Sequence, residues 1–260
     1  MKRQPIRRFM LLLSFLLFPI TLYYFSPYLI IMGGFAGVIT GSCIVFASLF
    51  LFSLVFGRAF CSWVCPAGGL QEGCRQVVNK RMVQRKLNWL KYFLWAPWLL
   101  GILAAFASAG GVKSLDFFYQ TDHGVSASGL PGWITYFGIV ALIVVLALTL
   151  GRRGMCHSIC WMAPFMVLGT LIKNKLHLPS YRLQADPSSC VNCGLCTKNC
   201  PMSLEVNKMV AVNQMDNSEC ILCGECADGC PKQAIKLNFS SKKIKPDCMD
   251  LQSGKSPAAG

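Results

Sequence analysis

The sequence predicts a mainly α-helical membrane protein with four transmembrane helices, followed by a small, cysteine-rich α+β domain. The first observation is that 54% of the 260 residues are hydrophobic. The second is that charged residues are missing from three long stretches before Arg152. The third is that most of the 15 cysteines lie in short repeated motifs. This combination excludes an intrinsically disordered chain, a collagen-like chain and an ordinary soluble globular protein.

The uncharged stretches are long enough to cross a membrane. They lie between Arg8 and Arg58, between Lys91 and Lys113, and between Asp122 and Arg152. They contain 49, 21 and 29 residues, and a helix needs about 20 residues to cross the hydrocarbon core. The first stretch has room for two helices, separated near Ser26-Pro27 or Gly33-Gly34. The predicted spans are about residues 9–24, 35–56, 89–110 and 131–150, within a transmembrane domain of residues 1–182.

The positive charges predict the orientation of these spans. With four spans, 24 of the 25 Lys and Arg residues fall on one side, and only Lys113 falls on the other. The positive-inside rule makes the first side the cytoplasm, so both termini are cytoplasmic in a multi-pass protein of the inner membrane. Residues 1–182 carry 17 basic and 3 acidic groups, whereas residues 183–240 carry 4 and 6. No aromatic–basic module is present, so we expect basic loops against anionic lipid and no nucleic-acid partner.

Eight cysteines form two successive copies of the motif C-x2-C-x2-C-x3-C-P. The first copy contains Cys190, Cys193, Cys196 and Cys200, and the second contains Cys220, Cys223, Cys226 and Cys230. This spacing is typical of bacterial ferredoxins with two [4Fe–4S] clusters, in which the fourth cysteine of each run ligates the other cluster. We therefore expect cluster 1 on Cys190, Cys193, Cys196 and Cys230. We expect cluster 2 on Cys200, Cys220, Cys223 and Cys226.

A structural zinc site fits this spacing of eight cysteines less well. Disulfides are disfavoured because the predicted topology places this segment in a reducing compartment. The motif therefore predicts a bacterial-type 2[4Fe–4S] ferredoxin domain of α+β fold over residues 183–240. The last stretch, residues 241–260, is rich in lysine and is expected to be a disordered tail.

Four further cysteines form two C-x3-C pairs, each after a Gly-Arg at the end of a predicted helix. They are Cys61 and Cys65 in GRAFCSWVCP, and Cys156 and Cys160 in GRRGMCHSIC. The spacing places both thiols of a pair on one helical face. The repeat predicts a duplicated two-helix unit, with the pairs meeting at the cytoplasmic ends of spans two and four. Four interpretations stay open: a third cluster, another thiophilic metal, a redox-active dithiol, or inert buried cysteines.

With these motifs, the chain resembles the NapH/NosR/CcoG-type membrane polyferredoxin superfamily, and NapH-type ferredoxin membrane subunits most closely in layout. The resemblance covers nearly the whole chain. It implies an iron–sulfur protein of the cytoplasmic membrane that conveys electrons from menaquinol, or from another cytoplasmic-side donor, to an extracytoplasmic redox partner. The resemblance to CcoG also implies an alternative, a maturation factor whose membrane thiols reduce or bind a metal such as copper.

The functional prediction is an iron–sulfur electron carrier, with a quinol dehydrogenase subunit as its more specific form. A ferredoxin-fed relay without a quinone site is the alternative built from the same parts. We assign no catalytic residue. His157 lies between Cys156 and Cys160, and we treat it as a candidate quinone or proton site, although a polar anchor at a helix end is an equal interpretation.

Overall fold

The longest apolar helices are the ones that the sequence predicts as spans three and four. The computed structural model describes residues 3–82 and 85–241, so the predicted disordered tail lies outside the described residues. Within them, Leu87–Ser108 and Gly129–Leu150 are long and apolar enough to cross a membrane. Leu100 and Leu103 on the first helix and Ile134 and Phe137 on the second are all more than 60% exposed. Such large apolar surfaces on long helices are suited to contact with lipid.

Shorter helices and two small sheets complete the described fold. The helices are α1 (Arg3–Leu16), α2 (Phe18–Thr21), α3 (Pro27–Ala36), α4 (Gly41–Phe56), α5 (Ala59–Trp63), α6 (Pro66–Cys74), α7 (Leu90–Ser108), α8 (Gly129–Leu150), α9 (Gly154–Ser158), α10 (Met162–Lys175), α11 (Leu195–Asn199), α12 (Val206–Ala211) and α13 (Glu225–Asp228). The strands are β1 (Val38–Thr40), β2 (Ser114–Asp116), β3 (Ser180–Ala185) and β4 (Ile235–Ser240). Strands β1 and β2 pair in parallel, and β3 and β4 pair antiparallel.

The first predicted span, residues 9–24, is not one straight helix. Arg3–Leu16 and Phe18–Phe25 together are long enough to cross a membrane, but their axes are bent by 59°. Pro19 lies in the first turn of the second segment. Proline has no N–H to continue the hydrogen bonds of the preceding helix, which accounts for the break. With this bent pair counted as one span, the described residues contain three candidate spans rather than four.

The second span was predicted over residues 35–56, and its predicted N-terminal boundary is wrong. Helix α3 ends at Ala36, and Gly37 follows with a φ of +72°. The chain then extends through β1, whose partner β2 comes from the loop after α7. Helix α4 starts only at Gly41, where the hydroxyl of Thr40 accepts a hydrogen bond from the Cys43 N–H. Hydropathy alone does not predict this break, because Val38 and Ile39 are as apolar as the residues of the helices on either side.

The region after each long helix repeats the same arrangement. Helix α4 is followed by short α5 and then α6, and helix α8 is followed by short α9 and then α10. The helices exchange partners: α6 packs against α8, and α10 packs against α4. The predicted duplication is therefore visible as two interlocked units.

Gly169 allows the close approach of α10 to α4. A Cβ atom at this position would lie 1.8 Å from the Ser53 hydroxyl oxygen and 3.0 Å from the Phe50 carbonyl oxygen. We expect Gly169→Leu to lower the free energy of unfolding by about 1–3 kcal/mol through overpacking. Thermal unfolding in detergent measures this effect. Gly138→Leu on α8 is the matched control, because nothing lies within 4 Å of a Cβ there. Equal stability of the two variants would contradict the packing argument.

The C-terminal part is built around the β3–β4 hairpin. Pairing runs from Ser180 with Ser240 to Ala185 with Ile235, and the helices α11, α12 and α13 lie between these strands in the sequence. Left-handed backbone conformations recur at equivalent positions of the two cysteine runs. The pairs are Asn192 and Leu222, Gly194 and Gly224, and Ser203 and Gln233. The duplication of the cysteine motif is therefore also a duplication of backbone conformation.

Candidate functional site

Two cavities in the C-terminal part are each lined by four cysteines. The first is lined by Cys190, Cys193, Cys196 and Cys230, among others. The second is lined by Cys200, Cys220, Cys223 and Cys226, among others. In each cavity, three cysteines come from one run and the fourth comes from the other run. The structure thus brings together the same two sets that the sequence grouped.

The chemistry of these donors fits a cluster better than a single ion. In residues 3–82 and 85–241, no group of three His, Cys, Asp or Glu residues is arranged to hold one metal ion. Each cavity instead brings together four cysteines, the number of thiolate ligands that a [4Fe–4S] cage takes. Gly194 and Gly224, with φ of +71° and +77°, precede α11 and α13. A side chain is absent at both turns, so the backbone can approach the cage and donate N–H groups to its sulfur atoms.

The two cysteine cavities differ in exposure. Cys193 of the first cavity is exposed to solvent, whereas Cys223 and Cys226 of the second are buried. The second cavity lies against the described part of residues 1–182, which we call the membrane half. The Ser62 hydroxyl donates a 2.6 Å hydrogen bond to the Ile221 carbonyl oxygen. The second cavity is therefore the inner one, and the first is the outer one.

The two C-x3-C pairs form a four-thiol site. Cys61, Cys65, Cys156 and Cys160 are each at most 6% exposed. The thiols of Cys61, Cys156 and Cys160 are close enough to raise the pKa of Cys65 electrostatically, in addition to burial. Burial, together with Cys156 and Cys61, raises the pKa of the Cys160 thiol to about 12. Four thiolates therefore need a compensating positive charge or metal to exist here.

Helices α6 and α10 return alongside the long helices after the two C-x3-C pairs. The ring of Trp161, next to Cys160, lies 5.4 Å from the ring of Trp98 on α7. The ring of Phe165 on α10 lies 5.5 Å from that of Phe46 on α4. The expected position of the pairs at the cytoplasmic ends of spans two and four stays a prediction.

Two buried arginines flank the four-thiol site. Arg58 is 0% and Arg153 is 2% exposed. The Arg153 guanidinium donates to the Cys61 carbonyl oxygen at 2.8 Å and to the Glu72 carboxylate at 3.2 Å. Arg58 pairs with Glu219, but its Nε and Nη2 have no hydrogen-bond partner, and neither does Nε of Arg153. Buried cations with unused N–H groups beside four thiols fit an anionic occupant.

Buried ion pairs join the membrane half to the C-terminal part. A guanidinium nitrogen of Arg7 lies 3.1 Å from a carboxylate oxygen of Glu72 and 2.7 Å from one of Glu225. A guanidinium nitrogen of Arg75 lies 2.9 Å from a carboxylate oxygen of Glu225. Burial disfavours the charged form of Glu72, but Arg153 and Arg7 outweigh it and hold its pKa at about 2. This network of ion pairs could not be predicted from the sequence. The positions of the arginines are explained by membrane topology, and they do not indicate which acidic residues pair with them.

A large apolar cavity adjoins the four-thiol site. Its volume is about 470 Å³, and Cys65 and Cys160 are among its lining residues. It extends past Ile143 and Ile139 on α8 to Thr135 and to Gln120 of the loop between α7 and α8. An elongated apolar cavity of this kind suits a small hydrophobic molecule.

His157 does not line this apolar cavity. It is 4% exposed and faces a polar cavity at the junction with the C-terminal part, where its Nδ1 lies 2.6 Å from Asn88 Oδ1. Burial lowers its pKa to about 4, so the imidazole is neutral near pH 7.

Comparison with known protein families covers both halves. The family model of a 4Fe-4S binding domain matches residues 29–88 and 131–179, which contain the C-x3-C pairs. The family model of a 4Fe-4S dicluster domain matches residues 189–235. The chain carries 4Fe–4S domains of the ferredoxin type. Two of its helices are long and apolar enough to cross a membrane.

Similar curated proteins point the same way. YccM of Escherichia coli, whose name describes an electron transport protein, is 27% identical over 196 residues, which is 71% of this chain and 53% of YccM. The methylamine utilization ferredoxin-type protein MauN of Paracoccus denitrificans is 28% identical over 188 residues, 68% of this chain and 60% of MauN. The chain thus spans little more than half the length of these relatives. No solved structure matches it. The narrower resemblance to the NapH/NosR/CcoG group stays a prediction.

Proposed function

We propose that the protein is a relay of the cytoplasmic membrane that passes electrons between a quinol pool and a redox partner. The N-terminal half spans the membrane four times, with α3 and α4 in the place of the second span. Both termini and the ferredoxin domain lie on the cytoplasmic side. The charge distribution of the sequence supports this orientation, since 24 of 25 basic residues fall on that side.

The observation that carries the proposal is a continuous series of sites from solvent to the apolar cavity. The outer cysteine cavity is exposed, the inner one lies against the membrane half, the four-thiol site follows, and the apolar cavity adjoins it. The Ser62–Ile221 hydrogen bond connects the residue after Cys61 to the residue after Cys220.

This series of sites assigns each set of four cysteines to one cluster. Cys190, Cys193, Cys196 and Cys230 hold cluster 1, and Cys200, Cys220, Cys223 and Cys226 hold cluster 2. We assign the four-thiol site of Cys61, Cys65, Cys156 and Cys160 to a third cluster, supported by the unused N–H groups of Arg58 and Arg153 beside it and by the match of its segments to a 4Fe-4S domain. When bound, each [4Fe–4S] cluster stores one electron. Menaquinone is the proposed occupant of the apolar cavity.

Iron content and quinol reduction test this proposal. Anaerobically purified protein is expected to contain about twelve irons, three [4Fe–4S] cages, rather than about eight. A menaquinol analogue is expected to reduce them, as followed by absorbance and electron paramagnetic resonance (EPR). Ile139→Trp fills the apolar cavity and is expected to abolish reduction by the quinol while reduction by dithionite persists.

The matched control is Ile134→Trp, on the same helix but 64% exposed and not part of the cavity lining. Equal quinol reduction in both variants contradicts the assignment of the cavity. If a reduced ferredoxin reduces the wild-type protein and the quinol does not, the relay has no quinone site.

A further inference from the structure

The acidic residues of the ferredoxin domain are turned toward the rest of the chain. Five of the six acids in residues 183–240 are ion-paired: Glu205 with Arg81, Asp216 with Arg182, Glu219 with Arg58 and Lys91, Glu225 with Arg7 and Arg75, and Asp228 with Arg3. The sixth, Asp186, accepts hydrogen bonds from Ser188 and Ser189 instead. Four of these six acids therefore pair with basic residues of the N-terminal half, whereas the Asp216–Arg182 pair lies within the C-terminal part, because Arg182 is on β3.

Its basic residues are distributed in the opposite way. The four lysines in residues 183–240 are exposed, and none forms an ion pair within the part of the chain that the structure describes: Lys198, Lys208, Lys232 and Lys236. Lys232 is part of the lining of the outer cysteine cavity, and Lys236 follows the lining residue Ile235 and shares a surface pocket with Lys232. Lys208 instead lines the polar cavity at the junction with the rest of the chain, and the Lys198 carbonyl oxygen accepts a hydrogen bond from Arg152. The domain has a formal excess of two negative charges, yet the charges left unpaired at its surface are four lysines and Asp186.

The same surface has an apolar centre. Val191 is 57% and Leu195 is 39% exposed, and both line the outer cavity beside the exposed Cys193. We call Val191, Leu195, Lys232 and Lys236 the outer face. An apolar patch with a charged rim is the usual composition of a transient protein interface.

We propose that the outer face docks an acidic, soluble one-electron carrier of the [2Fe–2S] ferredoxin class. This inference rests on the proposed function, because the outer cavity is the cluster site nearest to solvent. The carrier loses one electron on contact and this protein gains one, so no proton or further reactant is needed. Opposite charges on the two surfaces accelerate their encounter and orient the carrier over the exposed cysteines.

Stopped-flow reduction tests the outer face in the full-length, cluster-loaded protein. The probe is a dithionite-reduced acidic [2Fe–2S] ferredoxin, purified from excess reductant, and the readout is the second-order rate constant. Replacing Lys232 and Lys236 together by Gln is expected to lower this constant about threefold or more at low ionic strength. Added salt is expected to slow the wild-type reaction steeply and the variant only weakly.

Two controls separate docking from electron transfer itself. Lys113→Gln with Lys175→Gln removes exposed charges elsewhere and is expected to leave the ferredoxin rate unchanged. Reduced methyl viologen, a small cation, is expected to reduce the lysine variant at least as fast as the wild type.

If viologen reduces all proteins but ferredoxin reduces the lysine variant at the wild-type rate, the outer face is not the docking surface. If viologen reduces none of the clusters in the wild type, the proposed relay fails instead.

Discussion

The Cys200→Ser variant is expected to lose the same cluster as Cys223→Ser, although Cys200 belongs to the other cysteine run. Cys200 lines the inner cavity together with the first three cysteines of the second run. By the same geometry, Cys230→Ser is expected to resemble Cys193→Ser in the outer cavity. A hydroxyl is a much poorer ligand for iron than a thiolate, so each variant is expected to lose about four irons per protein.

Iron analysis and the EPR spectrum of the reduced protein measure these losses. The spectra of the two variants within each pair should match, and the two pairs should differ from one another. Cys74→Ser is the matched control, since Cys74 lines neither cysteine cavity, and it should keep the full iron content. If Cys200→Ser instead matched Cys193→Ser, each run would hold its own cluster and the assignment would fall.

The Glu219→Gln variant is expected to weaken the attachment of the ferredoxin domain by about 3–5 kcal/mol. Glu219 is the carboxylate partner of both Arg58 and Lys91, and the side chains of both cations are 0% exposed. Removing one member of a buried pair leaves the remaining charge without compensation, which is the source of this cost. Limited proteolysis and thermal unfolding under anaerobic conditions detect the loosened domain.

The control for this variant is Glu205→Gln. Its partner Arg81 is 35% exposed and Glu205 is 49% exposed, although the ion pair is 2.7 Å long. Solvent screens such a pair, so its loss costs about 0–1 kcal/mol. Similar protease sensitivity in the two variants would show that the buried pair does not hold the domain.

The cysteine sets could be predicted from the sequence because they depend on local geometry. Three thiols on a short loop, with a turn before the fourth, need only the spacing and the glycines at Gly194 and Gly224. The crossed grouping of Cys200 and Cys230 follows from the same duplicated motif. The long helices α7 and α8 were equally predictable, since about 20 apolar residues in sequence already satisfy a membrane's thickness.

The interruption around Gly37 could not be read from hydropathy. Strand β1 is apolar, and its hydrogen-bond partner β2 comes much later in the sequence, beyond α7. The return of α6 and α10 toward the long helices could not be predicted for a similar reason. The return of α6 and α10 depends on close packing against α8 and α4, as at Gly169, and such contacts leave no periodic pattern in the sequence.

The sequence by itself determined the ligand types, their spacing and the segregation of positive charge into the membrane half of the chain. Only the tertiary structure decided which of those charges are buried. Arg7, Arg58 and Arg153 look like ordinary positive-inside residues, but each meets a carboxylate distant in sequence. An ion pair depends on two side chains brought together by folding, so neither sequence position reveals it alone. The same pairing leaves the lysines of the outer face as the charges that a partner meets.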